Sequence, residues 1–282
     1  MEFQKTLKKP ISFEGIGLHS GKATSIVINP APANHGIIFK KNETLIPASV
    51  DYVSSTKRGT TLSKDNSSIQ TVEHLLSALR GLGIDNALIQ VDGEEIPAMD
   101  GSAAKFTQAI AQAGIENLSA ARSRWTYKTQ KPFVFTLGNS SYKLLPSENL
   151  ALSVSISYPN TPIGIQEAGF LSTENYAESI AKARTFCLES ELAMILSNGL
   201  GQGGSLDNAI VVGAQNIQSS EPLRYKDEFV RHKILDLIGD LALIGSGEFC
   251  FNLSSFAPSH HGNVALAREL KNKLTLEEPG GL

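Results

Sequence analysis

A chain of 282 residues that is 41% hydrophobic and 19% charged suits a folded protein, not a disordered one, and is long enough for one large domain or two small ones. The net charge of −3, with no basic run interleaved with aromatics, leaves nucleic-acid binding without support. No apolar run reaches the ~18 residues that span a bilayer. The opening MEFQKTLKKPISFEG lacks the apolar stretch of a signal peptide, and Cys187 and Cys250 fit buried thiols in a reducing compartment. A cytoplasmic location without stable membrane insertion is expected.

The first stretch of the chain reads as strands and turns, with SIVINPAP and GIIFKK as short apolar runs punctuated by Pro and Gly. TVEHLLSALRGLG reads as a helix, because Val72, Leu75, Leu76 and Leu79 recur at helical spacing and Gly81 offers a stop. NALIQV follows as a buried strand, and a second helix, AAKFTQAIAQAGI, begins near Ala103. The polar, small-residue stretch ENLSAARSR marks a boundary between two expected domains, 1–120 and 125–275. PFVFTLG, YKLLPS and LALSVSISYP then read as strands, followed by a helix in ESELAMILSNGLG, the strand DNAIVVG and a helix in EFVRHKILDLIGDLALIG. This order echoes the first half, and Ile84-Asp85-Asn86-Ala87-Leu88-Ile89 resembles Leu206-Asp207-Asn208-Ala209-Ile210-Val211 about 120 residues later. Two copies of one α+β unit are expected. The final LEEPGGL reads as a frayed tail.

Within the last long helix, His232, Asp236 and Asp240 are spaced four residues apart and so share one face. Histidine nitrogen and aspartate oxygen are zinc ligands. For this helix alone, a solvated face with an i, i+4 His–Asp contact is the simpler account. Yet Ile234, Leu235, Leu237, Ile238, Leu241 and Leu243 surround these groups, and a helix that is apolar nearly all round is buried. Buried polar groups need partners, which strengthens the metal reading. Glu73 and His74 point ~100° apart on their helix, so they would divide the labour, His74 ligating and Glu73 reaching a water. The alternative is an exposed Glu beside a core-edge His. SHHGN, from Ser259, offers loop histidines that could protonate a leaving group or stabilise an oxyanion, or else an ordinary exposed pair. GLGQGGS, from Gly199, could hold phosphates as in small-metabolite kinases, but it lacks a GK[ST] ending and also reads as helix stops and turns.

Taken together, GIGLHSGK from Gly15, TVEHLLSALRGLGIDN from Thr71, EIPAMDGSA from Glu95, ARTF from Ala183, GGSLDNAIV from Gly203 and DEFVRHKILDLIGDL from Asp227 resemble one family in order and across nearly the whole chain. It is the UDP-3-O-acyl-N-acetylglucosamine deacetylases, zinc amidases of lipid A biosynthesis in Gram-negative bacteria. The resemblance implies an α+β fold of two similar domains with helices packed between two β-sheets, a ribosomal protein S5 domain 2-like duplication. It also implies UDP-3-O-acyl-N-acetylglucosamine as substrate, and zinc, or iron(II) in the cell, held by His74, His232 and Asp236. Glu73 is then the general base, Asp240 the carboxylate orienting a catalytic histidine, Lys233 a site lysine and Thr185 a hydroxyl assisting the reacting carbonyl. The family's Gly-His-x-x-Asn reads here Ser259-His260-His261-Gly262-Asn263; only His260 keeps the step to Asn263, so His260 is expected, with His261 its competitor. An acyl chain calls for an apolar passage, for which IGIQEAGFL, from Ile163 to Leu171, is a candidate lining or lid, with ordinary core as the alternative. His19 is expected to be a turn residue, and the protein a monomer. The competing readings are the kinase and a non-catalytic sugar-nucleotide binder.

Overall fold

The computed structural model describes residues 2–278. The first half runs β1 (Phe3–Leu7), β2 (Ile11–Ile16), β3 (Ala23–Pro30), β4 (Ile37–Lys41), β5 (Thr44–Pro47), the small strands β6 (Val53–Ser55), β7 (Thr61–Lys64) and β8 (Ser67–Ile69), helix α1 (Glu73–Gly81), β9 (Ala87–Asp92), α2 (Ala104–Ala113) and β10 (Ile115–Ala121). The second half runs β11 (Arg124–Thr126), β12 (Phe133–Leu137), β13 (Ser140–Pro146), β14 (Ala151–Tyr158), β15 (Gly164–Leu171), α3 (Tyr176–Ser179), β16 (Phe186–Leu188), α4 (Leu192–Ser197), β17 (Ile210–Val212), β18 (Ile217–Gln218), α5 (Glu228–Leu241), β19 (Glu248–Phe256), α6 (His260–Lys273) and β20 (Thr275–Glu277).

The two halves repeat one topology. In the first, β9 lies between β3, to which it is antiparallel, and β4, to which it is parallel; β2 and β5 complete the two hairpins. In the second, β19 lies in the same way between β13 and β14, flanked by β12 and β15. Each half also pairs its opening strand with its closing strand, β1 with β10 and β11 with β20. Alternation explains the strands: Thr24, Ile26 and Ile28 of β3 face inward between half-exposed neighbours. The helices pack as α2 on α1, α1 on α5 and α5 on α6. In α5 the residues Ile234, Leu235, Leu237, Ile238 and Leu241 are all buried, so the helix is apolar nearly all round, as its sequence predicts. Each such side chain contributes ~1.5–3 kcal/mol on burial.

The sequence echo, however, pairs the wrong elements. Ile84–Ile89 leads into β9, but Leu206–Val211 leads into β17, the middle strand of a small separate sheet, β16-β17-β18. The counterpart of β9 is β19, and that of α1 is α5; ESELAMILSNGLG yields only the six-residue α4. A polar turn entering an apolar strand is a generic local solution, and here Asn208 makes it by accepting from Ser205 N and donating to Gly203 O. The stretch read as a boundary is mostly strand: Glu116–Ala121 lies in β10, and Arg122 and Ser123 separate it from β11. Of the expected frayed tail, Leu276 and Glu277 lie in β20, whereas 279–282 lie outside the described residues. Among the described residues no helix is long and apolar enough to cross a membrane.

Candidate metal centre

Glu73 and His74 open α1, and α5 crosses there at Gly239, whose missing side chain lets the two backbones meet. The crossing brings His74, His232 and Asp236 together, with one ligand atom from each lying within 4.8 Å of the others. Asp236 Oδ1 is 3.3 Å from His232 Nε2 and 3.6 Å from His74 Nε2. Although buried, this oxygen receives no hydrogen bond among the described residues. A buried carboxylate oxygen without a donor, facing two imidazole nitrogens, fits a cation in a way that it fits neither packing nor a hydrogen-bond network.

The surroundings hold these three side chains in a form that could bind a cation. The Nδ1–H of His232 donates to Ala183 O at 3.0 Å, which leaves the Nε2 lone pair facing the group. Burial pushes the His232 imidazole down to about 3, so it stays neutral, the form that binds a metal. Ala183 is held by its neighbour: buried Arg184 donates through Nε at 2.8 Å to buried Glu228, the first residue of α5. Burial disfavours charge on Asp236, but His232, Lys233 and His260 hold its carboxyl well below the usual range. Lys233 Nζ lies 3.1 Å from Asp236 Oδ2.

Beside the ligands lies a second constellation. Glu73 is buried, and burial raises its carboxyl above the ordinary value. Its Oε2 accepts from Thr60 N at 2.9 Å, while Oε1 lies 3.7 Å from His260 Nε2. The Nδ1–H of His260 donates to Asp240 Oδ2 at 2.9 Å. Burial alone would lower the His260 imidazolium, but Asp240, Asp236 and Glu73 push it up to about 10. SHHGN is not the loop expected: His260 and His261 form the first turn of α6, and Ser259 is its N-cap, accepting from Gly262 N at 3.2 Å. Asn263 joins His260 on Asp240, donating from Nδ2 at 2.9 Å, and Tyr142 OH donates to Asn263 Oδ1 at 2.7 Å. His261 is exposed and faces away, with Nδ1 3.4 Å from Thr56 Oγ1.

Glu95 supports the site from outside its two helices. Its buried carboxylate accepts from His19 N at 3.0 Å, Ser20 N at 2.8 Å and Thr71 Oγ1 at 2.8 Å. Thr71, two residues before Glu73, has φ +58°, a left-handed conformation that costs a β-branched residue ~1–3 kcal/mol. Glu95 thus holds a strained entry to α1. Nothing in one sequence distinguishes this carboxylate from an exposed one, although it lies in the motif EIPAMDGSA.

GLGQGGS packs against the His19 segment. Gln202 N donates to His19 O at 3.2 Å, Gly203 N to Leu18 O at 3.1 Å and Gly201 N to His19 Nδ1 at 3.3 Å. With these amides engaged, the segment is not a phosphate cradle. The Nε2–H of His19 donates to Arg58 O at 2.9 Å, so both ring nitrogens serve the turn. Beside His19 and Thr185 opens an apolar cavity of about 340 Å³, walled by Leu18, Phe186, Leu192, Ile195, Leu206 and Val211. IGIQEAGFL does not line this cavity: Ile163 is buried, and Gly164–Leu171 forms the edge strand β15, where Ile165 is 76% exposed.

A sequence model of the family described as UDP-3-O-acyl N-acetylglycosamine deacetylase matches residues 4–272. The UDP-3-O-acyl-N-acetylglucosamine deacetylase of Nautilia profundicola is 42% identical over 270 residues, covering 95% of this chain and 91% of that protein. The protein of the same name from Chlamydia felis is 40% identical over 278 residues, covering 96% and 98%. That of Campylobacter jejuni subsp. jejuni is 41% identical over 274 residues, covering 96% and 92%.

Proposed function

This chain belongs to the UDP-3-O-acyl N-acetylglycosamine deacetylase family, and from that premise we propose that it hydrolyses the acetamide of UDP-3-O-acyl-N-acetylglucosamine to acetate and the free 2-amino sugar nucleotide. We take the repeats as units 1–120, supplying Glu73 and His74, and 125–275, supplying His232, Asp236 and His260. The observation that carries the reading is the unpartnered Asp236 Oδ1 facing the Nε2 atoms of His74 and His232, with the buried Glu73 beside them.

His74, His232 and Asp236 would hold a zinc ion, which when bound supplies a Lewis acid and lowers the pKa of water. Glu73 is the general base: Oε2 is tethered to Thr60 N, and Oε1 is left to take a proton from the attacking water. A carboxyl raised by burial is suited to that task. The His260 imidazolium, oriented by Asp240, faces the same space and stabilises negative charge on the carbonyl oxygen. It also carries the proton that the departing amine needs. Lys233 adds positive charge next to Asp236, and Thr185 offers a hydroxyl at the cavity wall. The acyl chain lies in the apolar cavity beside Thr185, where Leu192, Ile195 and Val211 supply apolar walls.

Metal analysis and an acetate-release assay test the reading together. About one zinc per chain, lost in His232→Ala, with acetate released from the acylated sugar nucleotide, is the expected result. Iron(II) accepts the same ligand set, so the same analysis identifies the native metal. Full turnover after metal removal, or binding of the sugar nucleotide without acetate release, would overturn it.

A further inference from the structure

We propose that Thr60 is a positioning residue that fixes Glu73 and the Asp240–His260 pair relative to each other; the inference rests on the deacetylase reading above. Thr60 immediately precedes β7 and is fully buried. All three of its polar groups are engaged. The backbone N–H donates to Glu73 Oε2 at 2.9 Å, the hydroxyl donates to Asp240 Oδ1 at 2.6 Å, and the carbonyl accepts from Val72 N at 3.2 Å, just ahead of α1. One residue belonging to none of the three helices thereby ties a carboxylate of α1 to a carboxylate of α5.

The geometry gives the tie a consequence. Each bond occupies the oxygen turned away from His260. The remaining oxygens face its two ring nitrogens, Glu73 Oε1 at 3.7 Å from Nε2 and Asp240 Oδ2 at 2.9 Å from Nδ1. Asp240 is completely buried, so without the Thr60 hydroxyl its Oδ1 has no water to turn to. The carboxylate would then swing toward other donors, and the imidazole bonded to it would follow. Being buried, Thr60 does not touch substrate, so its effect falls on turnover and not on binding.

The test uses the metal-loaded protein with Thr60→Val, which keeps the N–H and the shape but removes the hydroxyl, and Thr60→Ser, which keeps both donors. For Thr60→Val, kcat falls about 10–100-fold, the range for groups that orient a site residue, with KM and metal content unchanged. Thr60→Ser stays close to wild type. On a His260→Ala background the Val substitution costs little more, because the group it positions is already gone. In ¹⁵N-histidine-labelled protein, the Nδ1–H proton of His260 is protected from exchange in wild type and in Thr60→Ser, and loses that protection in Thr60→Val. Should Thr60→Val not fold, Thr60→Ala is read in the same way.

Wild-type kcat in Thr60→Val, an unchanged multiplicative loss on the His260→Ala background, or a Thr60→Ser variant as damaged as Thr60→Val would each overturn the role. If Glu73→Gln and His260→Ala themselves retain full turnover, the deacetylase reading of these residues fails. If both lose turnover while Thr60→Val does not, only the role of Thr60 fails.

Discussion

Gly239 sits directly on the carbonyl of Glu73: a β-carbon at 239 would lie 2.1 Å from that oxygen. In a helix interior alanine ordinarily betters glycine by ~1 kcal/mol; at this crossing the order reverses. Gly239→Ala is expected to lower the unfolding free energy by about 1–3 kcal/mol, as overpacking does. It should also weaken metal binding, because spreading α1 from α5 separates His74 from His232 and Asp236. Urea unfolding and zinc titration measure the two effects, and an alanine variant matching wild type in both would mean that the helices have room to slide.

On the proposed mechanism, Glu73→Gln removes the base and leaves His74, His232 and Asp236 in place. It is expected to bind metal normally while kcat falls ~10²–10⁴-fold. His260→Ala should lower kcat far more than His261→Ala, since His260 is bonded to Asp240 and His261 is exposed. Parallel metal analysis and steady-state kinetics on the three variants check this, and a larger loss at His261 would reverse the assignment.

Ala209 lies in the wall of the apolar cavity. Ala209→Trp should raise KM for the acylated substrate with little change in kcat, the pattern of lost binding common to ground and transition states. A substrate with a truncated acyl chain should be affected much less. Equal effects on both substrates would place the chain elsewhere.

His232 and His260 pull the pH dependence of the metal-free protein in opposite directions. His232 drops from 6.5 to about 3 on burial, so in that window the unfolded chain binds a proton that the folded one refuses. Stability therefore falls as pH falls from 6.5 toward 3. His260, which burial alone would lower, is pushed from 6.5 up to about 10 by Asp240, Asp236 and Glu73. Its contribution is complete below 6.5 and is lost as pH rises through about 10. Unfolding curves across pH should lose the acid slope in His232→Gln and the alkaline slope in His260→Gln; unchanged slopes would count against these protonation states.

What could be read from the sequence follows from what is local. His232, Asp236 and Asp240 declared a common face because helical spacing carries that information in one segment. The step from His260 to Asn263, taken from the family motif, joins two residues that both reach Asp240 from α6. Thr60 could not be found in this way: RGTTL has no period, and its role arises from partners 13 and 180 positions away. The pairing of Arg184 with Glu228 is equally non-local. IGIQEAGFL is apolar enough for a lining but serves as an edge strand, while the walls of the apolar cavity come from several short segments that no single run of sequence announces. The duplication was inferred correctly from a misleading echo, since β9 and β19 share topology without sharing residues.

The helix crossing also bears on ancestry. His74 comes from α1, and His232 and Asp236 come from the equivalent helix of the other repeat. Arg122 and Ser123 are the short tether that sets the effective concentration of one repeat at the other. A single-copy ancestor would have had to dimerise to gather three such side chains. Fusion would then have turned an affinity that depended on protein concentration into one that does not, and freed each copy to diverge: one now carries the buried Glu73, the other the bonded Asp240–His260 pair.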